Sequence, residues 1–205
     1  MAGGKCVMTK VYFIRHAEAD NSVRDGRIRP LTEKGLADRR LVTEFLQDKG
    51  INAVLSSPFK RAVDTVADFA ENKGLIVLLS ENFKEHDTIS DNYPSNEYFQ
   101  FVKKYWADFY YKVSGDESLY EVQERNITAL NDILTQYKNK NIVIGTHGTA
   151  LSTIINYYDS TYGFEDFMAM VKIKPWIVRM DFNDDGCVGM VKTDLFNPEQ
   201  MDDCK

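Results

Sequence analysis

The sequence predicts an α/β fold: a three-layer α/β/α sandwich on a mostly parallel central sheet with one antiparallel edge. Three observations carry that prediction. Short runs rich in Val, Ile and Leu, without polar alternation, recur along the chain, as expected of strands covered on both faces. Between them lie segments with apolar residues at helical spacing and with helix start signals. Near the end, two strand-like runs flank an Asp-Gly pair, a strong hairpin signal and hence an antiparallel edge.

The parallel strands are expected at residues 10–15, 53–56, 75–79 and 141–146. After the first, Thr32 can cap a helix that ends at Gly50 and turns Leu36, Leu41 and Phe45 inward. After the second, Ser57 as cap and Pro58 as first helical residue open a helix that buries Val63, Val66, Phe69 and Ala70. Ser118 and Glu121 form a capping-box pattern for a third helix through Leu130, Leu134 and Tyr137. Residues 176–182 and 187–192 flank Asn183-Asp184-Asp185-Gly186. That loop matches the first half of a calcium loop, but its twelfth position is Lys192 where a Glu is needed, so a hairpin turn is expected. The last residues, 196–205, read as a polar tail.

At 205 residues, 43% hydrophobic and 27% charged, the chain suits one domain, 1–205, with a lid or insert expected at 82–117. No run approaches the length of a membrane span, and the first five residues do not read as a secretory signal. The net charge of −6 argues against nucleic acid or a membrane surface as partner. Cys6, Cys187 and Cys204 are far apart and odd in number, without metal spacing, which points to reduced thiols and a cytoplasmic setting. Oligomeric state is open.

The chemistry-bearing residues cluster at strand ends. The first strand delivers Arg15 and His16; the second leads to Arg61 in the first turn of its helix, where free N–H groups favour an anion; the last leads to His147, Gly148 and Thr149. Ligands sit at the carboxyl ends of such strands. Two of the three histidines in the chain and two arginines are thus expected near one rim, a site for an anion.

Arg15-His16-Ala17-Glu18 resembles the Arg-His-Gly signature of the histidine phosphatase superfamily, in the branch that includes the cofactor-dependent phosphoglycerate mutases. Supporting motifs are Leu31-Thr32-Glu33-Lys34-Gly35, Ser56-Ser57-Pro58 with Arg61, Gly115-Asp116-Glu117-Ser118 and Thr146-His147-Gly148. Together they cover residues 10–155. Ala17 stands where the family usually has Gly.

The resemblance implies a metal-independent phosphatase without a cofactor, acting on a small phosphorylated metabolite. His16 would accept the phosphoryl group as a phosphohistidine, while Arg15, Arg61 and His147, the last as a charged donor, clamp the phosphoryl oxygens. Glu85, in Asn82-Phe83-Lys84-Glu85-His86, would be the proton donor, with Glu81 and Asp87 as competitors. Asn21, one place before a phosphate-contacting Asn of many relatives, Gly148 and Thr149 would contact substrate. A mutase, a protein phosphohistidine phosphatase and a catalytically silent module on the same fold are the alternatives. His86 is either an exposed loop residue or a substrate contact. Tyr98, Phe99, Phe101, Tyr105, Trp106, Phe109, Tyr110 and Tyr111 form an aromatic segment for which helix packing is expected, with a lid over the site as the functional alternative.

Overall fold

A computed structural model describes residues 8–86, 95–197 and 201–204. The strands are β1 (Thr9–Arg15), β2 (Ala53–Ser56), β3 (Val77–Leu79), β4 (Asn141–Thr146), β5 (Trp176–Asn183), β6 (Gly186–Thr193) and β7 (Met201–Cys204). The helices are α1 (Glu33–Leu46), α2 (Lys60–Asn72), α3 (Ser95–Ala107), α4 (Leu119–Gln136), α5 (Gly148–Tyr158) and α6 (Phe164–Met170). One sheet runs in the order β3-β2-β4-β1-β5-β6-β7. Its first four strands are mutually parallel, and β5, β6 and β7 add on antiparallel. The expected antiparallel edge is therefore three strands wide.

Alternation along the central strands makes the three layers. Val11 and Phe13 of β1, with Ile142 and Ile144 of β4, pack into a core that includes Leu130 of α4 and Leu151 of α5. Tyr12 and Ile14, with Val143, face the opposite way onto Val42 and Leu46 of α1 and Val66 and Phe69 of α2. Successive side chains of a strand point to opposite faces, so an unbroken apolar run requires helices on both.

Several local expectations change. The Thr32 cap holds, its side chain accepting from the Gly35 N–H, but the inward stripe of α1 is Gly35, Val42 and Leu46, and Leu36 is 42% exposed. Leu41-Val42 and Phe45-Leu46 are adjacent apolar pairs, so spacing alone leaves the helix face undecided by one residue. Gly35 decides it, because a Cβ there would lie 2.1 Å from the Glu18 carbonyl oxygen. Helix α2 starts at Lys60 with Phe59 as its cap residue, so Ser57 and Pro58 precede it; Val63 is only half-buried, while Arg61, Ala62 and Thr65 join Val66, Phe69 and Ala70 inside. Strand β3 is shorter than expected, and Leu79 on it is 61% exposed at the sheet edge.

The capping box of α4 forms as expected, with Ser118 and Glu121 bonded reciprocally. The hairpin pairs Asn183 with Gly186, whose φ of +123° suits glycine. Within the expected tail, Met201–Cys204 pair with β6 instead of hanging free. In the aromatic segment, Tyr105 is buried, and Trp106 meets Phe167 at 5.5 Å between ring centroids and Tyr162 at 6.1 Å. Phe99 meets Phe164 at 5.4 Å, so this helix packs on α6 and its approach. No helix among the described residues is long and apolar enough to cross a membrane.

Candidate active site

The neighbouring parallel strands β2, β4 and β1 end side by side. The ladder continues one residue past each outer strand: the His16 N–H donates to the Thr146 carbonyl at 3.1 Å, and the Ser57 N–H to the Gly145 carbonyl at 2.9 Å. Close packing here requires Gly145, since a Cβ would fall 2.7 Å from Ser56 Oγ and 3.0 Å from the Ala62 carbonyl. His16, Ser57 and His147 thus meet at one rim, with the His16 and His147 rings 5.3 Å apart.

His16 is almost wholly buried, and its Nδ1 lies 2.7 Å from the Ala17 carbonyl oxygen. A carbonyl only accepts, so Nδ1 carries the hydrogen and Nε2 of the neutral ring carries the lone pair. Burial, then the Arg61 and Arg15 guanidinium groups, hold the pKa of His16 well below the ordinary histidine value. The Ala17 N–H donates to Thr65 Oγ1 at 3.0 Å, and that hydroxyl donates to the Arg61 carbonyl at 2.7 Å. This pair of bonds ties the end of β1 to the first turn of α2.

Both arginines are held by backbone. Arg15 Nη1 donates to the carbonyls of Met170 (2.8 Å), Val171 (3.1 Å) and Ile173 (2.9 Å). Arg61 Nη1 donates to the Gly26 carbonyl at 2.6 Å, with its guanidinium 5.0 Å over the Phe59 ring. Gly148 lets α5 approach the clamp, because a Cβ there would come within 3.3 Å of Arg15 Nε.

His147 is completely buried, hydrogen-bonded through Nε2 to Ser57 Oγ at 2.8 Å, and its Nδ1 has no protein partner among the described residues. Burial, Arg61 and His16 push its pKa well down. Cations on several sides favour the neutral ring, and the charged donor expected of His147 belongs to the phosphate complex.

Glu85 reaches the rim from the other side. Its Oε1 accepts from the Ala150 N–H (3.1 Å) and the His86 N–H (2.9 Å), and its Oε2 from the Thr149 N–H (3.4 Å). The carboxylate therefore sits on the first turn of α5, where N–H groups lack helical partners. Thr149 meets Glu85 through its backbone. Glu81 is instead held at the surface by both guanidinium nitrogens of Arg27, at 3.0 and 2.9 Å. Asp87 lies outside the described residues. His86 donates through Nε2 to the Glu117 carbonyl at 2.6 Å and packs edge-on against Tyr105, so it is a half-buried, held side chain rather than an exposed loop residue. Asn21 is exposed, accepting from Arg29 Nη1 at 3.4 Å.

Three contributors escaped the sequence reading. Arg125 of α4 forms a two-point pair with Glu117 (2.9 and 2.9 Å) and donates to the carbonyls of Asn82 (2.7 Å), Lys84 (3.0 Å) and Glu85 (3.1 Å). It straps down the segment that carries Glu85. The capping box and the apolar spacing that predict its helix carry no information on a polar-face arginine. Ser57 was assigned to a cap and instead orients His147. Lys174 stands beside the clamp, where burial and Arg15 lower its pKa, and nothing in its local sequence signals that position.

A family model described as the histidine phosphatase superfamily (branch 1) matches residues 11–188. An uncharacterised phosphatase, PhoE of Bacillus subtilis (strain 168), is 28% identical over 153 residues, 72% of this chain and 76% of that protein. Among solved structures, YhfR of Bacillus stearothermophilus superimposes with a TM-score of 0.71 at 20% identity, covering 88% of this chain and 94% of that one. A mutant phosphoserine phosphatase from Entamoeba histolytica, in complex with phosphoserine, does so with a TM-score of 0.68 at 22% identity, covering 88% and 94%. These two likenesses bear on the fold.

Proposed function

From the premise that the chain belongs to the histidine phosphatase superfamily, branch 1, and is a phosphoric monoester hydrolase, we propose how its own residues divide the work. The observation that carries the assignment is the neutral His16, with Nδ1 tied to the Ala17 carbonyl and the lone pair left on Nε2 beside two arginines.

In the first step that lone pair attacks phosphorus and the ester P–O bond breaks. The leaving alkoxide takes a proton from Glu85 in its acid form. Arg15 and Arg61 hold the equatorial oxygens, which carry the charge through the transfer. His147 adds a donor once the phosphoryl dianion offsets the surrounding cations and its proton returns. In the second step water attacks phosphorus and gives its proton to Glu85. The N–P bond breaks, its electrons return to His16, and inorganic phosphate leaves. The substrate is a small phosphorylated metabolite.

The test is hydrolysis of p-nitrophenyl phosphate without added metal, followed by acid-free trapping of labelled phosphate from a 32P-labelled alkyl ester. An acid-labile, base-stable adduct on His16 is expected, and none in His16→Ala. Retained turnover by His16→Ala would remove this mechanism.

A further inference from the structure

The loop that holds Arg15 has a second side. The carbonyls of Met170, Val171 and Ile173 grip the clamp arginine, while Val171, Lys172 and Lys174 wall a cleft of about 680 Å³ together with Glu18, Asn21 and Lys34. One short segment therefore aims the phosphate clamp and lines the space next to it. Asn21, expected at the phosphate, belongs to this wall.

The charges in the cleft are unequally engaged. Lys34 is ion-paired with Asp38 and lies 5.1 Å over the Phe196 ring. The Glu18 carboxylate accepts from Thr32 Oγ1 at 2.9 Å. Lys172 and Lys174 have no hydrogen bond or ion pair with the side chains of other described residues. Two ammonium groups thus stand on this wall, Lys174 within Coulombic range of the Glu18 and Glu85 carboxylates and of Arg15 and Arg61, two arginines that already suit an anion. The half-buried Lys174 and the exposed Lys172 add positive charge beside the two arginines, and a second anion offsets that charge. Burial first, and Arg15 after it, lower the pKa of Lys174.

We propose that this cleft receives a second acidic group of the substrate, so that the enzyme prefers phosphate monoesters carrying a carboxylate or a further phosphate, with Lys172 and Lys174 as the recognising pair. The proposal rests on the phosphatase assignment above. It adds a specificity-determining subsite that a plain phosphomonoesterase does not need.

A matched series tests it: propyl phosphate, 2-carboxyethyl phosphate and 1,3-propanediol bisphosphate, compared by kcat/KM with p-nitrophenyl phosphate as the reference. The wild type should favour at least one of the acidic esters over propyl phosphate by about tenfold, and the preference should shrink in about 0.5 M NaCl. Which of the two is favoured tells a carboxylate site from a phosphate site. Lys172→Gln, at an exposed position where folding is not at stake, should reduce the ratio, and Lys172→Gln with Lys174→Gln should bring it close to one.

Equal turnover of all three esters by the wild type would overturn the proposal. So would a ratio that survives the double substitution, or a Lys174→Gln effect that lowers propyl phosphate as much as the acidic esters. In each of these cases the phosphatase assignment stands, because p-nitrophenyl phosphate is still hydrolysed. If no ester is hydrolysed at all, that assignment fails and this one with it.

Discussion

His16 and Glu85 reach the same rim by different routes. His16 follows β1, the strand buried on both faces at the centre of the sheet, and its ring and the flanking arginines are each held by a nearby backbone carbonyl. Glu85 follows an edge: β3 is short and half-exposed, and a single helical turn at Glu81–Phe83 precedes it. What holds the Glu85 segment is Arg125, from a helix forty residues further on, with the first N–H groups of α5. The half of the site proposed to hold phosphate is built by the sheet; the half proposed to serve the leaving group is fastened on by side chains. Positioning of the first should resist single changes outside the clamp, whereas positioning of the second should depend on one strap.

The largest effect tests the clamp. Arg15→Lys or Arg61→Lys should lower kcat/KM by about 10²–10³-fold for every ester, because the transferring charge is the same whatever leaves. Next comes Glu85→Gln, which should cost about 10²-fold on alkyl phosphates and about threefold at most on p-nitrophenyl phosphate, whose leaving group needs no acid. An equal loss on both would show that Glu85 is not the proton donor.

Arg125→Lys sharpens the comparison further. It should lose about tenfold on alkyl phosphates with the same leaving-group dependence, and add little to Glu85→Gln in the double variant, since both act through one carboxylate. Full additivity would mean that Arg125 acts elsewhere.

The smallest effect is on stability. His16 and His147 are both held neutral in the fold, with pKa values well below the ordinary value of about 6.5. The unfolded chain takes up protons below that value while the folded chain does not, so stability is full above it and declines as pH falls through it. Each kcal/mol lost should appear as about 2–4 °C in Tm. His16→Ala should flatten the decline between pH 7 and 5, and inorganic phosphate should offset it in the wild type.

The parallel strands could be read to within about two residues because each is a continuous apolar run, and a strand buried on both faces permits little else. The grouping of the rim residues was legible for a related reason: Arg15, His16 and His147 sit at or directly after those runs, and Arg61 at the start of the next helix. The misreadings share one cause. Leu36 looked inward because adjacent apolar pairs in α1 fit two faces equally. Ser57 looked like a cap because its hydroxyl would serve either purpose. Residues 201–204 looked like a tail because a four-residue polar strand has no pattern of its own, and only β6 beside it makes it one.

The layer order of the fold, the family, and the four residues proposed to handle the phosphoryl dianion were legible in the sequence. Those follow from local patterns: apolar runs, helix starts, and charged residues adjoining both. What needed the tertiary structure was the tautomer of His16, the lowered pKa of His147, the strap from Arg125 to Glu85, and the lysine-walled cleft beside the clamp. Each of these depends on groups far apart in the chain coming within hydrogen-bonding or Coulombic range, or on the direction a single ring takes toward a carbonyl. Spacing along the chain does not encode such distances.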